Sequence, residues 1–339
     1  MRDKVFLLLA WGRSTFAPMQ PHEKVVVTFS DRGFIKREPS STYRPQNRGG
    51  TGKIGQGTRE NDFLRLLTVA DTHDDMYFFT NRGKVFRLKC HEIPSGGSRT
   101  TKGISVINLL SIAEGEKITA IIATTGLMPD SYLVMATARG EIKRTTVEKY
   151  AAVRSSGLIT MDLESGDELI SACLAMGKDD VILVTRKGKS IKFPVVNIRA
   201  SSRTSGGVRA IRLAAGDAVV SVSEAAVDAY LLVVSEEGQG KLTPLNMYPR
   251  QHRGGVGVKT FNTMAKGEVT AAKVVAQADR LVIIAAEGNI ECIEVKDISV
   301  QGRGTQGVRI MRLGDGDRVA AVAPLKWTGL GWQSNLQLQ

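Results

Sequence analysis

Short apolar runs recur along the chain, and each one ends in a polar turn closed by glycine. The runs at 24–30, 76–80, 132–137, 181–185, 230–235 and 280–285 are rich in Val, Ile, Leu and aromatic residues, a composition that favours strands. The glycines that close the turns are Gly33, Gly83, Gly140, Gly188, Gly238 and Gly288, separated by 50, 57, 48, 50 and 50 residues. Glycine supplies the positive φ that a tight hairpin turn requires. Alternating stretches such as FIKR, KVFR and EIKR follow, so a return strand with one packed and one solvated face is predicted after each turn. A period near fifty residues marks an array of one small unit, repeated six times.

Two further landmarks keep phase with the first. Gly52, Gly103, Gly157, Gly207, Gly257 and Gly307 follow the turn glycines by 17 to 20 residues. Phrases such as GISVINLL, GVRAIRL and GVRIMRL open on them and predict a third strand. Gly115, Gly166, Gly216, Gly267 and Gly316 precede a fourth, as in KITAIIAT and AVVSVSEA, while the first copy lacks this glycine. Four strands per unit predict an all-β, six-bladed ring of four-stranded blades and no helix of useful length. Blades are expected at roughly 23–75, 76–128, 129–179, 180–228, 229–278 and 279–325, with a leader at 1–22 and a tail at 326–339. The 57-residue gap places a short surface insertion near Thr124–Ser131.

Composition narrows the function. The chain carries 46 Lys and Arg against 34 Asp and Glu, a formal charge of +12 in 339 residues, which suits a polyanionic partner. Three widely spaced cysteines and no C-x-x-C predict reduced, partly buried thiols in a cytoplasmic protein. The four histidines look scattered, and no zinc pattern appears. No apolar run reaches the length of a membrane span, and the short run at 5–11 is too brief for a convincing secretion signal.

The cations fall into rows when counted from the landmark glycines. The fourth position after the turn glycine reads Arg37, Arg87, Arg144, Lys192, Leu242, Cys292, and the third reads Lys36, Phe86, Lys143, Ile191, Lys241, Glu291. Blades one to four therefore carry a basic return strand, and blade six is acidic through Glu287, Glu291 and Glu294. Arg48, Arg99, Arg203, Arg253 and Arg303 stand four residues before the second glycine, and Arg154 stands three before. Cations at equivalent places on a ring trace a circumference, a shape that suits a bent duplex held by its phosphates.

The loop of the first unit reads Tyr43-Arg44-Pro45-Gln46-Asn47-Arg48-Gly49-Gly50-Thr51-Gly52-Lys53. It resembles the Q-R-R-G-G-K-G box of the C-terminal domain of bacterial DNA gyrase A. The resemblance extends through NDFLRLLTVADTHDDMYFFTNRGKVFRLKC and TQGVRIMRL to about Pro324. It implies a β-pinwheel whose blades exchange strands and whose outer edge binds and wraps double-stranded DNA. It also implies partners in the gyrase A N-terminal domain and gyrase B, and a place in the bacterial cytoplasm at the nucleoid. Gln46, Arg48, Gly49, Gly50 and Gly52 match the box, while Asn47 and Thr51 replace two cations that Arg44 and Lys53 offset in part. ATP and Mg2+ would belong to the holoenzyme, so no cofactor, no metal, no small-molecule substrate and no membrane are expected for this chain, nor catalysis on its own. The alternatives are the counterpart domain of topoisomerase IV and a protein-interaction propeller.

Three other motifs lack the context their chemistry needs. Gly50-x-Gly52-x-x-Gly55 has the dinucleotide spacing, yet polar loop residues follow it where a helix should open. Lys53 is followed by Ile54, so it does not complete a phosphate-binding P-loop. Thr72-His73-Asp74-Asp75 reads as a turn between blades with no nucleophile beside it.

Overall fold

The computed structural model describes residues 21–42, 53–54, 62–96, 101–126, 128–264 and 267–325. Leader residues 1–20, the tail, box residues Arg44, Gln46, Asn47, Arg48, Gly49, Gly50, Thr51 and Gly52, and Arg99 lie outside them; of Lys53 only the backbone is described.

Six four-stranded antiparallel sheets form a ring. In each repeat a lead strand (Lys24–Ser30 in the first) turns into a return strand (Phe34–Pro39). The inner strand (Leu64–Asp71) pairs with the other side of the lead strand. Inner strands touch their neighbours in cyclic order, and the last, Val319–Leu325, meets the first, so they surround the axis. The lead strand is buried along almost its whole length, which explains its unbroken apolar run.

Each hairpin turn has the same construction. The Gly33 N–H donates to Ser30 O at 3.0 Å and the Gly188 N–H to Thr185 O at 3.0 Å, with φ at +84° and +75°. A hydroxyl at the end of the lead strand accepts from the return strand, as when the Glu141 N–H donates to Thr137 Oγ1 at 3.1 Å. A carboxylate before the inner strand ties down the turn: Asp62, Asp167, Asp217 and Asp317 accept from the N–H groups of Arg32, Arg139, Lys187 and Glu287. Asp62 thus serves the first repeat, which lacks the preceding glycine.

The third strand departs from the sequence expectation in length, while its exchange between blades is what the resemblance implied. It spans only two residues: Lys53–Ile54, Ile104–Ser105, Leu158–Ile159, Val208–Arg209, Val258–Lys259 and Val308–Arg309. It also pairs with the return strand of the preceding repeat, so each blade takes its outermost strand from the next unit. Lys53–Ile54 pairs with Ile290 and Asn289 of the last blade and closes the ring.

The shortness has a local cause. The Thr260 and Phe261 N–H groups both donate to Gly188 O, at 2.8 and 3.2 Å, which bends the chain off the sheet edge and under the turn. A Cβ on Gly188 would stand 2.4 Å from Phe261 O, and one on Gly83 would stand 2.3 Å from Met161 O. The turn glycine is needed for this close approach as well as for its positive φ.

Apolar clusters fill the space between neighbouring blades all round the ring. Two of the interfaces also hold buried hydroxyl pairs: Tyr150 Oη lies 2.7 Å from Thr160 Oγ1 between blades two and three, and Tyr248 Oη lies 2.6 Å from Thr260 Oγ1 between blades four and five.

Candidate nucleic-acid interface

The outer edge is built from return strands, two-residue outer strands and the loops that lead into them. Successive residues of the return strand point to opposite faces, and this sorts the expected row of cations into two kinds. The third position faces inward. Lys36 and Lys143, expected to face solvent, are each 1% exposed, and Lys241 is wholly buried. Lys36 Nζ donates to Glu38 Oε1 at 3.1 Å, and its stem lies against Gly96 of the following repeat. Lys143 Nζ donates to the carbonyls of Thr160, Arg203 and Ser205 at 2.9, 2.7 and 2.7 Å. Burial pushes Lys143 down to about 8; nearby Lys149 and Arg203 add to the effect, and Asp162 opposes it. Lys36 and Lys143 are thus internal ties, where the sequence suggested surface contacts.

The fourth position is half-buried and holds the blade edge while keeping some charge at the surface. Arg37 Nε donates to Ile93 O at 2.6 Å, and Lys192 Nζ donates to Leu245 O at 2.9 Å. Arg144 lies over the Tyr132 ring, 4.6 Å from its centre. Arg87 approaches Asp75 at 3.9 Å. Burial lowers Lys192 below the ordinary lysine range, Asp180 opposes that shift and Arg250 adds to it.

The loop arginines connect one blade to the next. Arg203 Nη1 donates to Ile159 O, and Arg253 Nη1 donates to Arg209 O; Ile159 and Arg209 end the outer strands of the preceding blades. A guanidinium has five N–H donors, so each arginine keeps others free for a ligand. Arg154 is exposed, and its carbonyl accepts from the Arg87 N–H at 3.2 Å. Arg303 is partly exposed. The loops are also linked in series: the Asp162, Arg212 and Asn262 N–H groups donate to Ser205, Gly255 and Thr305 carbonyls. Among the described residues these bonds join the loops of repeats three to six into one backbone band.

Sequence reasoning missed a further row. Arg209, Lys259 and Arg309 end the outer strands of blades three, four and five, and all three are exposed. Arg212 and Arg312, three residues beyond Arg209 and Arg309, are exposed as well. The signal was present in GVRAIRL, GVGVKTF and GVRIMRL, but it shows only once the outer strand is assigned to the preceding blade. On blade five, whose fourth position is Leu242, Arg309 supplies an exposed cation that the return strand does not. The acidity expected for blade six is also reduced: Glu291 is buried, and Glu294 Oε1 accepts from Arg280 Nε at 3.2 Å.

The histidines that looked scattered partly gather: the His22 and His73 rings stack at 3.8 Å, and His91 lies 6.3 Å from His73. No metal-holding group of His, Cys, Asp or Glu occurs among the described residues. Cys90, Cys173 and Cys292 are outside disulfides, and burial pushes Cys90 and Cys173 up to about 12. No described helix is long and apolar enough to cross a membrane.

Ring, exchanged strands and outer edge together define a propeller-like domain with a cationic rim. The family described as DNA gyrase C-terminal domain, beta-propeller matches residues 24–71, 74–125, 131–172, 179–224, 229–276 and 279–326, one segment per blade, and the chain belongs to that family. The DNA gyrase A protein of Dehalogenimonas lykanthroporepellens is 53% identical over 189 residues, 56% of this chain and 23% of that protein. The chain thus spans under a quarter of that relative's length. A solved DNA gyrase A C-terminal domain superposes with a TM-score of 0.81 at 26% identity, covering 89% of this chain and all of the other. The C-terminal domain of a DNA topoisomerase IV superposes at 0.68 with 24% identity over 90% of this chain and 94% of the other, a likeness of fold.

Proposed function

We propose that this chain binds duplex DNA along its outer rim and bends it around the ring, as the C-terminal part of a gyrase A protein. In that setting it acts with the N-terminal part of gyrase A and with gyrase B, and ATP and Mg2+ serve the holoenzyme. The observation that carries the reading is the row of exposed cations at equivalent outer-strand positions, Arg209, Lys259 and Arg309. Lysines on a sheet edge also discourage strand-to-strand association. Lys259, however, stands directly opposite exposed Lys189 in the ladder, an arrangement that costs stability unless an anion sits between them.

Phosphate contacts fix position and carry little sequence information, so affinity should depend weakly on base sequence and steeply on salt. About eight contacts would give a slope of roughly −7 in log K against log salt. The test is titration of labelled duplex at rising salt, paired with ligation of nicked plasmid in the presence of the chain. Salt-sensitive binding and a shift in linking number support wrapping. Absence of binding at about 50 mM salt, where such contacts are strong, would overturn it in favour of a protein-interaction propeller.

A further inference from the structure

We propose that Lys143 and Lys241 are positioning residues of the rim: each holds the backbone of the next repeat's loop through a buried ammonium, and so sets where Arg203 and Arg303 meet phosphate. The role of the arginines rests on the DNA-binding reading above; the clamp itself does not.

An ammonium has three N–H donors and no acceptor. At Lys143 they meet three carbonyls, those of Thr160, Arg203 and Ser205. At Lys241 they meet Gly302 O, Arg303 O and Thr305 Oγ1 at 2.5, 2.6 and 3.0 Å. The two sites are two repeats apart, and in each the ammonium takes the carbonyl of the loop arginine itself. Such a point charge fixes the direction of the carbonyls around it, and charge-assisted hydrogen bonds are about twice as strong as neutral ones.

The same position in blades two and four works differently. Phe86 packs where a Cβ on Gly157 would come within 2.4 Å of its ring, and Ile191 Cδ1 lies 3.7 Å from the Cβ position of Gly255. Those loops rest on apolar side chains, a contact without direction. From blade two to blade five the loops therefore alternate between packed and clamped. An ammonium enclosed by loop carbonyls cannot itself reach a phosphate, so its effect on DNA must pass through the loop.

Acylation of the unaltered, DNA-free protein by a water-soluble amine reagent, read by mass spectrometry, tests the clamp. Lys143 and Lys241 should react at least about tenfold more slowly than exposed Lys189 and Lys259, because a buried amine must await local opening. Comparable rates would overturn the proposal. A double-mutant cycle on duplex affinity tests the positioning. Lys143→Met and Arg203→Ala should each weaken binding, and the double variant should lose little more than either alone, because residues acting through one network are not additive. Independent, additive losses would mark Lys143 as a separate phosphate contact and also overturn the proposal. If the unaltered protein binds no duplex, the DNA reading falls, while slow acylation would still establish the clamp.

Discussion

Lys189 and Lys259 are directly opposed residues of an antiparallel ladder, both exposed, one from the fourth repeat and one from the fifth. Strand exchange creates the pair, which does not exist within any single repeat. Opposed like charges destabilise a sheet by a few tenths of a kcal/mol to about 1 kcal/mol. Lys259→Ala should therefore leave the free protein as stable or slightly more stable in a thermal melt. It should also weaken duplex binding and lower the salt slope by about one unit. A melt that drops with DNA affinity unchanged would show that Lys259 serves the fold alone.

Raising the pH should loosen DNA. Burial holds both Lys143 and Lys241 at about 8, well below the ordinary lysine value. The charged groups around Lys143 are Lys149, Arg203 and Asp162, and the one beside Lys241 is Lys259. As pH rises through about 8 each ammonium loses a proton, one donor and its charge, so affinity should fall between about pH 7 and about pH 9. Stability moves the other way: above about 8 the unfolded chain holds more protons at these sites than the folded one, so their contribution to stability grows with pH. Binding and melting series across this range, run beside Lys143→Met/Lys241→Met, would show the opposed trends flattened in the variant. A wild-type affinity independent of pH would count against the buried ammonium groups.

The turn glycines differ in how hard they are to replace. Gly188 and Gly288 both have positive φ, +75° and +91°, so alanine is strained at either. A Cβ at Gly188 also meets Phe261 O at 2.4 Å, whereas one at Gly288 meets nothing within 4 Å. Gly188→Ala should cost more than about 1 kcal/mol and clearly more than Gly288→Ala in denaturant melts. Equal costs would mean that the backbone angle is the whole reason for glycine.

Two residues of the first repeat complete the last blade. Lys53–Ile54 supplies the outer strand of the last blade, pairing with Ile290 and Asn289. Proline at both positions 53 and 54 removes the ladder donors there. Hydrogen exchange at Asn289–Glu294 should then quicken, with the return strands of blades three and four unaffected. Unchanged protection at Asn289–Glu294 would show that the ring closes by its inner strands alone.

Much of the fold was legible because one glycine does two jobs. Gly33, Gly83, Gly140, Gly188, Gly238 and Gly288 announce the hairpins in the sequence, and the apolar runs before them are the buried lead strands. The alternation of Lys36, Lys143 and Lys241 with Phe86, Ile191 and Glu291 was also visible, as a string of residue types. Its meaning was not, because whether a lysine at that position meets solvent or a carbonyl depends on the loop of another repeat.

The sequence alone determined the count of blades, the place of every turn and the basic character of the chain, because those follow from local backbone demands and composition. Only the tertiary structure decided which cations face outward. Moving a two-residue strand onto the preceding blade buries Lys143 beneath the Arg203 loop and sets Lys259 against Lys189. The partners in both cases come from a different repeat, at a separation in the chain that no local pattern encodes.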